Sequence, residues 1–334
     1  MDLATPTAQN HDFGEDVLKL DAAGEVERIV VALRKQVLAD LGRRGAVLGL
    51  SGGVDSSVVA ALCVRAFGKS RVLGIFMPER ESSGDSLRLG RQWASRLGIA
   101  TALEDITQAL EGLGSYRRQV EAIQTVIPEY DQGWKCKLVM SPVGENHGLN
   151  VTRLMAQGPD RTRLVRLSSE AYLQIVAATN YKQRIRKTSE YYHADRLRYA
   201  VVGTANLLEY DQGFFVKQGD GIADVMPIAH LYKTQVYQLA EYLDVDDEIR
   251  RRPPTSDTYS MPQSQEEFYF NVPYWVLDLC LYAVNHGVAA QRVADTVGLS
   301  ADKVEMVFRD IRAKRRAARY LHAPPLQLSI AVEE

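Results

Sequence analysis

A glycine-rich segment, Ala46–Val58, carries the residue types of a phosphate-binding loop. An apolar run predicts a buried strand that leads into a glycine pair, and a helix is predicted to begin near Val54. Gly52 and Gly53 tolerate positive φ and leave room for a ligand to approach the main chain. The amides of residues 54–57 would converge at the positive end of the helix dipole. The segment therefore predicts a cradle for anionic oxygen atoms.

The same segment contains a carboxylate, Asp55, and lacks the lysine of the common nucleotide-binding pattern GxxxxGK[ST]. Because a carboxylate repels phosphate, a bridging cation is needed if both lie in one site. Mg²⁺ prefers hard oxygen ligands and suits this role. The alternative is an ordinary strand-to-helix turn that uses glycines for packing, but the run Ser-Gly-Gly-Val-Asp-Ser-Ser favours the binding loop.

Composition and charge exclude several classes of protein. Forty basic and 42 acidic residues among 334 give a net charge of -2, so no global charge favours nucleic acid or an anionic membrane. Cys63, Cys136 and Cys280 form no CxxC pair and fit a reducing cytoplasm. No apolar run reaches membrane-span length, and residues 1–24 are expected to form a flexible tail.

Strand and helix patterns alternate along the chain and predict an α/β fold with a doubly wound parallel sheet. A helix is expected over Val26–Leu41, then the loop strand, a strand over Val72–Met77 and a helix over Asp85–Leu97. Further strands are expected around residues 101–106 and 199–203. Ligands bind at the carboxyl ends of such strands, which is where the phosphate loop lies.

Two parts of the chain depart from this alternation. Residues 116–168 are predicted to form a β-rich insertion, with extended runs separated by turns. Residues 273–320 are predicted to be helical. The pair of helices over 289–297 and 300–317, with basic residues near its end, leaves open a helix-turn-helix that binds DNA. An apolar seam through Val293, Val304 and Ile311 instead favours packing within the protein.

A polar segment follows the expected strand at 199–203 and again lies at a strand's carboxyl end. It runs from Gly203 to Asp224. Its chemistry-bearing side chains, together with one lysine further on, are Glu209, Lys217, Asp220, Asp224 and Lys233. Since both segments end parallel strands, we expect these groups to lie beside the bound phosphates.

The loop resembles the signature of the ATP pyrophosphatases, which belong to the adenine nucleotide alpha hydrolase-like superfamily with a Rossmann-like fold. From residue 25 to 334 the chain is similar to NAD synthetases in particular. The resemblance rests on Leu48–Ser57, Asn180–Arg186, Gly203–Asn206 with Glu209, Lys217–Asp220, Ala223–Asp224, Leu231–Thr234, Pro254–Thr255 and Lys314–Arg315.

The resemblance implies a role for each matching residue. The ATP-binding residues would be Gly49, Leu50, Ser51, Gly52, Gly53, Val54, Asp55, Ser56, Thr204, Lys233 and Thr255. The residues binding deamido-NAD would be Arg184, Lys217, Asp220, Asp224 and Lys314. Asp55 and Glu209 would ligate Mg²⁺, and Asp55, Lys217 and Lys233 would be catalytic.

The reaction implied is the ATP-dependent amidation of deamido-NAD to NAD through an adenylated nicotinate carboxylate. No glutaminase nucleophile motif is visible, so free ammonia is the expected nitrogen donor, although a separate glutaminase subunit stays open. The resemblance also implies a homodimer in the cytoplasm. Another adenylating amidotransferase or thiolating ligase, with a different carboxylate or tRNA as acceptor, stays open as an alternative.

Overall fold

The computed structural model describes residues 13–140, 152–255, 258–265, 269–270 and 272–328. Its centre is a four-stranded parallel sheet made of β1 (Ala46–Gly49), β2 (Val72–Phe76), β3 (Ala100–Leu103) and β7 (Ala200–Val201). The strand order is β3-β2-β1-β7, with Ala46 paired to both Val72 and Ala200. The β1 strand, which leads into the glycine-rich segment, is therefore a central strand.

Helices cover both faces of this sheet, as a doubly wound fold requires. On one face lie α1 (Ala22–Arg34), α2 (Val54–Phe67), α3 (Gly84–Leu97) and α8 (Lys233–Tyr242). On the other lies the long α6 (Ser169–Leu197). Side chains of β1 alternate between the two cores, with Leu48 packed on the first and Val47 on the second. The predicted α/β class is confirmed.

The predicted insertion contains a separate antiparallel sheet. Its strands are β4 (Lys135–Met140), β5 (Thr152–Gln157) and β6 (Thr162–Arg166), paired in that order. The expectation of β structure from residue 116 is wrong for the first part, which is the helix α5 (Ser115–Gln124), preceded by α4 (Thr107–Gly112). Buried Gln119, Ala122 and Ile123 lie at i, i+3 and i+4, the spacing of one helix face. The residues 141–151 between β4 and β5 lie outside the described part.

The remaining elements are short helices that lead into a helical C-terminal part. α7 (Leu207–Gln212) follows β7, and α9 (Asp247–Arg251) follows α8. The last helices are α10 (Tyr274–His286), α11 (Ala290–Val297) and α12 (Ala301–His322). Val293, Val304 and Ile311 are buried between them, so the apolar seam is confirmed. Arg315, which the DNA-binding hypothesis needs free, instead binds Asp211 at 2.8 Å.

The expected tail over residues 1–24 is too long. A 3-10 helix spans Glu15–Leu18, Leu18 is buried, and its carbonyl accepts a hydrogen bond from Gln238 Nε2 at 3.0 Å. The apolar side chain of Leu18 packs with the distant C-terminal helices. Residues 1–12 lie outside the described part. Among the described residues, no helix has the length and apolar character needed to cross a membrane.

Candidate active site

The glycine-rich turn connects β1 to α2 at the carboxyl edge of the sheet. Gly52 has φ 73°, and a Cβ at this position would lie 2.4 Å from the carbonyl oxygen of Ser86. Glycine is therefore required there on both counts. Gly53 has φ −92°, so the expectation that both glycines use positive φ holds for Gly52 alone. Gly53 instead serves as the N-cap residue of α2.

The first turn of α2 directs its amides out of the helix end. Helix geometry leaves the first amides without intrahelical carbonyl partners. The Ser57 amide, expected among the ligand-binding groups, already donates to the Gly53 carbonyl at 3.2 Å. The Ser51 and Ser56 hydroxyls lie 3.1 Å apart and order the turn. Anion binding by the main chain therefore falls to the amides of residues 54–56.

Asp55, in the first turn of α2, is the point where three elements meet. Its Oδ1 accepts a hydrogen bond at 3.0 Å from the side-chain amide, Nδ2, of Asn206, which precedes α7. Its Oδ2 forms an ion pair with Lys233 of α8. Asn206 and Lys233 are fully buried, whereas the Asp55 side chain keeps 16% of its exposure. The carboxylate is thus fixed by two buried donors and still open toward the turn.

Lys233 is held rigidly at the start of α8. Its backbone amide and that of Thr234 donate to the two carboxylate oxygens of Asp278, at 3.2 and 2.7 Å. Burial raises the pKa of the Asp278 carboxyl to about 6, although the same amide hydrogen bonds act in the opposite direction. Burial acts to lower the pKa of Lys233, but the charges of Asp55 and Glu209 outweigh it and raise that pKa. Lys233 is therefore a permanent buried cation.

Glu209 lies in the first turn of α7 and is oriented by a capping box with Asn206. The backbone amide of Glu209 donates to Asn206 Oδ1 at 3.2 Å, and Glu209 Oε2 accepts from the backbone amide of Asn206 at 3.3 Å. Burial and then the negative charge of Asp55 raise the pKa of Glu209, while Lys233 opposes the rise. The raised pKa means that ionised Glu209 beside Asp55 would have more negative charge than Lys233 offsets, and a bound cation would favour the ionised form.

These two carboxylates fit a magnesium ion only with help from phosphate. Among the described residues no group of three or more His, Cys, Asp or Glu side chains could hold a metal by itself. Asp55 and Glu209 supply hard oxygen atoms beside the amides of the turn. Mg²⁺ in nucleotide sites is commonly held by one or two carboxylates together with substrate phosphates. The donor set therefore suits a metal that arrives with a nucleotide.

A cavity of about 660 Å³ opens in front of the glycine-rich turn. Most of the predicted nucleotide-binding residues line it, together with Glu209 and Asp220 of the polar segment. The predicted residues that line it are Gly49, Leu50, Ser51, Gly53, Val54, Asp55, Ser56, Thr204, Glu209, Asp220 and Thr255. Gly52 and Lys233 do not line the cavity. Gly52 packs against α3, and Lys233 contacts the site by its ion pair with Asp55.

The profile of the NAD synthase family matches residues 25–129 and 141–318 of this chain. The chain belongs to the NAD synthase family. An NH₃-dependent NAD⁺ synthetase of Mesorhizobium japonicum is 68% identical over 95% of this chain and 100% of its own length. The predictions of the family, of an enzyme of the ligase class and of ATP as co-substrate are confirmed.

Two solved structures share the fold. An NH₃-dependent NAD synthetase of Campylobacter jejuni has a TM-score of 0.60 at 20% identity, covering 93% of this chain and 100% of that one. An NMN synthetase of Francisella tularensis has a TM-score of 0.62 at 20% identity, with the same coverages. At these identities the likeness shows the architecture alone.

The residues that NAD synthases are expected to direct at deamido-NAD lie mostly away from the cavity. Arg184 is exposed, and its Nε donates to the carbonyl of Lys217 at 3.3 Å. Lys217 donates to the carbonyls of Tyr320 and Ala323 at the end of α12, at 2.8 and 3.1 Å. Neither lines the cavity. In this structure Lys217 thus contacts the end of α12, and its catalytic role stays a prediction.

The other three residues of this set have protein partners too. Asp224 accepts from the Val201 amide at 2.7 Å and so closes the end of β7. Lys314 donates to the carbonyl of Tyr269 at 2.6 Å and pairs with Asp310 at 2.7 Å. Asp220 accepts from the Val216 amide at 2.7 Å, and burial raises the pKa of its carboxyl. Of the five residues, Asp220 alone borders the cavity.

Sequence reasoning missed a charged group on α6 that lines the cavity. Lys182, 1% exposed, pairs with Glu79 at 3.0 Å and Glu81 at 2.6 Å. One turn further on, Lys187 pairs with Glu190 at 2.6 Å, and both are buried. A signal for Glu79 existed, because it follows the carboxyl end of β2 just as the glycine-rich turn follows β1. Lys182 had a signal too, because it lies in Asn180–Arg186, one of the segments on which the family resemblance rests. No sequence pattern pointed to Lys187.

Proposed function

We propose that this protein converts deamido-NAD to NAD, using ATP and free ammonia and releasing AMP and pyrophosphate. The observation that supports this most strongly is Asp55, which joins the phosphate-binding turn to Lys233 and Asn206 in one buried group. Such a group places opposite charges where a polyphosphate must bind and react. The alternatives with another acceptor share this chemistry and differ in the carboxylate that is activated.

In this proposal, the amides of residues 54–56 bind the β and γ phosphates of ATP, and the ammonium of Lys233 acts on the same site through its ion pair with Asp55. Fixed dipoles and a buried cation stabilise charge that develops on a leaving group without having to reorganise. Thr204 and Thr255 border the same cavity and would contact the nucleotide. The turn is thus arranged to favour departure of pyrophosphate rather than of orthophosphate.

Mg²⁺ belongs to the proposal as a companion of ATP, held by Asp55, Glu209 and phosphate oxygens. When bound, it would neutralise phosphate charge and stabilise the departing pyrophosphate. The chain's own contribution is to orient the two carboxylates. Asn206 fixes both, since it donates to Asp55 and caps the helix that carries Glu209.

The chemistry needs no covalent enzyme intermediate. An oxygen of the nicotinate carboxylate forms a bond to the α phosphorus, the bond to the bridging oxygen breaks, and pyrophosphate leaves with the electron pair. Ammonia then attacks the acyl carbon, AMP leaves, and a proton is lost as the amide forms. Two anionic reactants must meet, so positioning cations are required before either step.

The residues that bind the dinucleotide complete the proposal: Arg184, Lys217, Asp220, Asp224 and Lys314. Their present protein partners would have to be exchanged for the ligand, or supplemented by it. A homodimer and a cytoplasmic location are further parts of the proposal. Free, buried Cys63, Cys136 and Cys280 support a reducing compartment.

The proposal is tested by identifying the products formed from ATP, Mg²⁺, ammonia and deamido-NAD. We expect NAD, AMP and pyrophosphate in equal amounts. Nicotinate mononucleotide, other carboxylic acids and tRNA serve as matched acceptors, and glutamine replaces ammonia in a parallel series. Faster turnover with another acceptor would mean that this acceptor, and not deamido-NAD, is the substrate. Formation of ADP and orthophosphate with every acceptor would reject adenylation itself.

A further inference from the structure

The strand β4 borders the cavity, although it belongs to the part of the insertion that the family profile omits. The profile matches residues up to 129 and again from 141, so residues 130–140 lie between the matched ranges. They contain β4, Lys135–Met140. Leu138 of β4 nevertheless lines the cavity, and Thr152 of β5 does so too. The added strand is therefore part of the site and not a remote surface feature.

The neighbour of β4 on its free side is the segment 258–265. The Met261 amide donates to the Cys136 carbonyl at 3.0 Å, and the Cys136 amide donates to Ser260 Oγ at 2.9 Å. The side-chain amide of Gln263 donates to the Leu138 carbonyl. These bonds use the edge of β4 that β5 does not cover, so the segment is attached along the strand.

The same segment also carries part of the cavity wall. Thr258, Tyr259 and Gln265 line the cavity, as does the preceding turn Pro253–Thr255. The Gln265 amide returns to the Pro254 carbonyl at 3.0 Å, and so connects the segment to that turn. The residues that contact β4 are therefore within a few positions of residues that line the cavity.

Burial and charge hold the segment from two further sides. Tyr259 is 5% exposed and packs in the hydrophobic cluster of the insertion with Trp134 and Leu138. The Thr258 carbonyl accepts a hydrogen bond from the buried ammonium of Lys182 at 3.0 Å. A loop with this density of attachments should open rarely, since each buried hydrogen bond and apolar contact must be lost on opening.

We infer that β4 acts as a positioning strand, which holds the segment 258–265 against the cavity and keeps the nucleotide site formed before ATP arrives. Ser260 and Gln263 are the positioning residues, and neither is expected to touch the reacting atoms. Ordering the segment in advance removes an entropy cost from binding, so the effect should fall on the affinity for ATP rather than on the chemical step. The kinetic part of this inference rests on the proposed function.

The first experiment is amide hydrogen exchange on the full chain without ligand, read by mass spectrometry on peptides covering 258–265. We expect slow exchange that changes little when ATP and Mg²⁺ are added. Exchange at the unprotected rate in the free protein, with protection appearing only on adding ATP, would overturn the inference. This readout needs no catalytic turnover, so it stands or falls separately from the proposed function.

The second experiment uses the double variant Ser260→Ala, Gln263→Leu. Among the described groups the side-chain carbonyl of Gln263 has no hydrogen-bond partner, so leucine removes one known bond at similar volume. We expect faster exchange over 258–265 and a rise of about tenfold in KM for ATP, the size expected from a buried amide left without a partner, with kcat nearly unchanged.

Two matched variants separate positioning from general damage. Ser260→Thr keeps the hydroxyl, so its KM for ATP should stay close to that of the parent protein. Ser300→Ala removes a hydroxyl that accepts the Lys303 amide at 3.4 Å, far from the cavity at the start of α12, and should leave the KM unchanged. A double variant that frees the segment without raising the KM for ATP, or that lowers kcat instead, would contradict the positioning role.

Discussion

The phosphate-binding turn and the set of residues expected to bind the dinucleotide behave differently in this structure. Around the turn, residues far apart in sequence are already assembled, with Asn206 and Lys233 both bonded to Asp55. In the dinucleotide set, Arg184, Lys217 and Lys314 are bonded to backbone carbonyls. The group around the turn is thus built into the fold, whereas the residues proposed to bind the dinucleotide would have to exchange their present partners for that ligand.

The physical reason lies in where each group is attached. The turn follows the central strand β1 and α7 follows its neighbour β7, and parallel strands bring their carboxyl ends to one edge by construction. The dinucleotide set is spread over α6, the loop after α7, and α12, whose relative placement depends on side-chain packing. Five variants, two of them a matched pair, test this contrast in order of expected effect.

Asp55→Asn should have the largest effect on turnover. The amide keeps the shape and can still contact Asn206, but it removes the charge that pairs with Lys233 and serves the metal. We expect kcat to fall by about 100- to 1000-fold, as for loss of a charge-stabilising group. Steady-state kinetics and circular dichroism would be measured together, with Asp302→Asn, in the first turn of α12, as the control for an acidic residue at a helix start. Near-normal rates at ordinary Mg²⁺ would refute the role.

Lys233→Met should act nearly as strongly, with a fall in kcat of about 100-fold because a preorganised cation is lost. Asp55 and Glu209 would then lie together without their counter-charge, so the variant should also be less stable to denaturant. Activity per folded molecule is therefore measured below its unfolding transition. A rate close to that of the parent protein would show that the ammonium serves the fold and not the reaction.

Gly52→Ala and Gly53→Ala form a matched pair at the turn. At Gly52 the added Cβ meets a carbonyl oxygen and φ is positive, so we expect a loss of about 1–3 kcal/mol in the free energy of unfolding. At Gly53 the nearest atom to the added Cβ is Ser51 Oγ at 3.3 Å and φ is negative, so stability should change little. Urea titrations of both variants measure this. Equal losses would mean that the turn is not held by the contact with α3.

Arg184→Gln should have the smallest and most selective effect. The side chain is exposed and lies outside the cavity, so the fold and the nucleotide site should be unaffected. We expect the KM for deamido-NAD to rise by about tenfold, the scale of a lost charge-assisted hydrogen bond, while the KM for ATP stays constant. Equal changes in the KM for deamido-NAD and the KM for ATP would mean that Arg184 serves both ligands and that the two regions form one site.

Sequence patterns anticipated most of the parallel sheet because periodicity and glycine placement are local. The predicted helix over Asp85–Leu97 and strand over Val72–Met77 match α3 and β2 within one residue at each end. The tail was misjudged at Leu18, and the insertion at α5. In both places, apolar side chains are ordered by partners distant in sequence, such as the C-terminal helices that bury Leu18.

For the site, the amino-acid sequence by itself determined the phosphate-binding turn, the family and the identity of the charged groups. It could do so because a strand, two glycines and a helix start lie within a dozen residues. Tertiary structure alone decided that Asn206 bonds Asp55, that Lys182 and Lys187 are buried against carboxylates, and that β4 borders the cavity. These depend on the packing of elements far apart in the chain, where burial sets the strength of each interaction, and no local pattern records that packing.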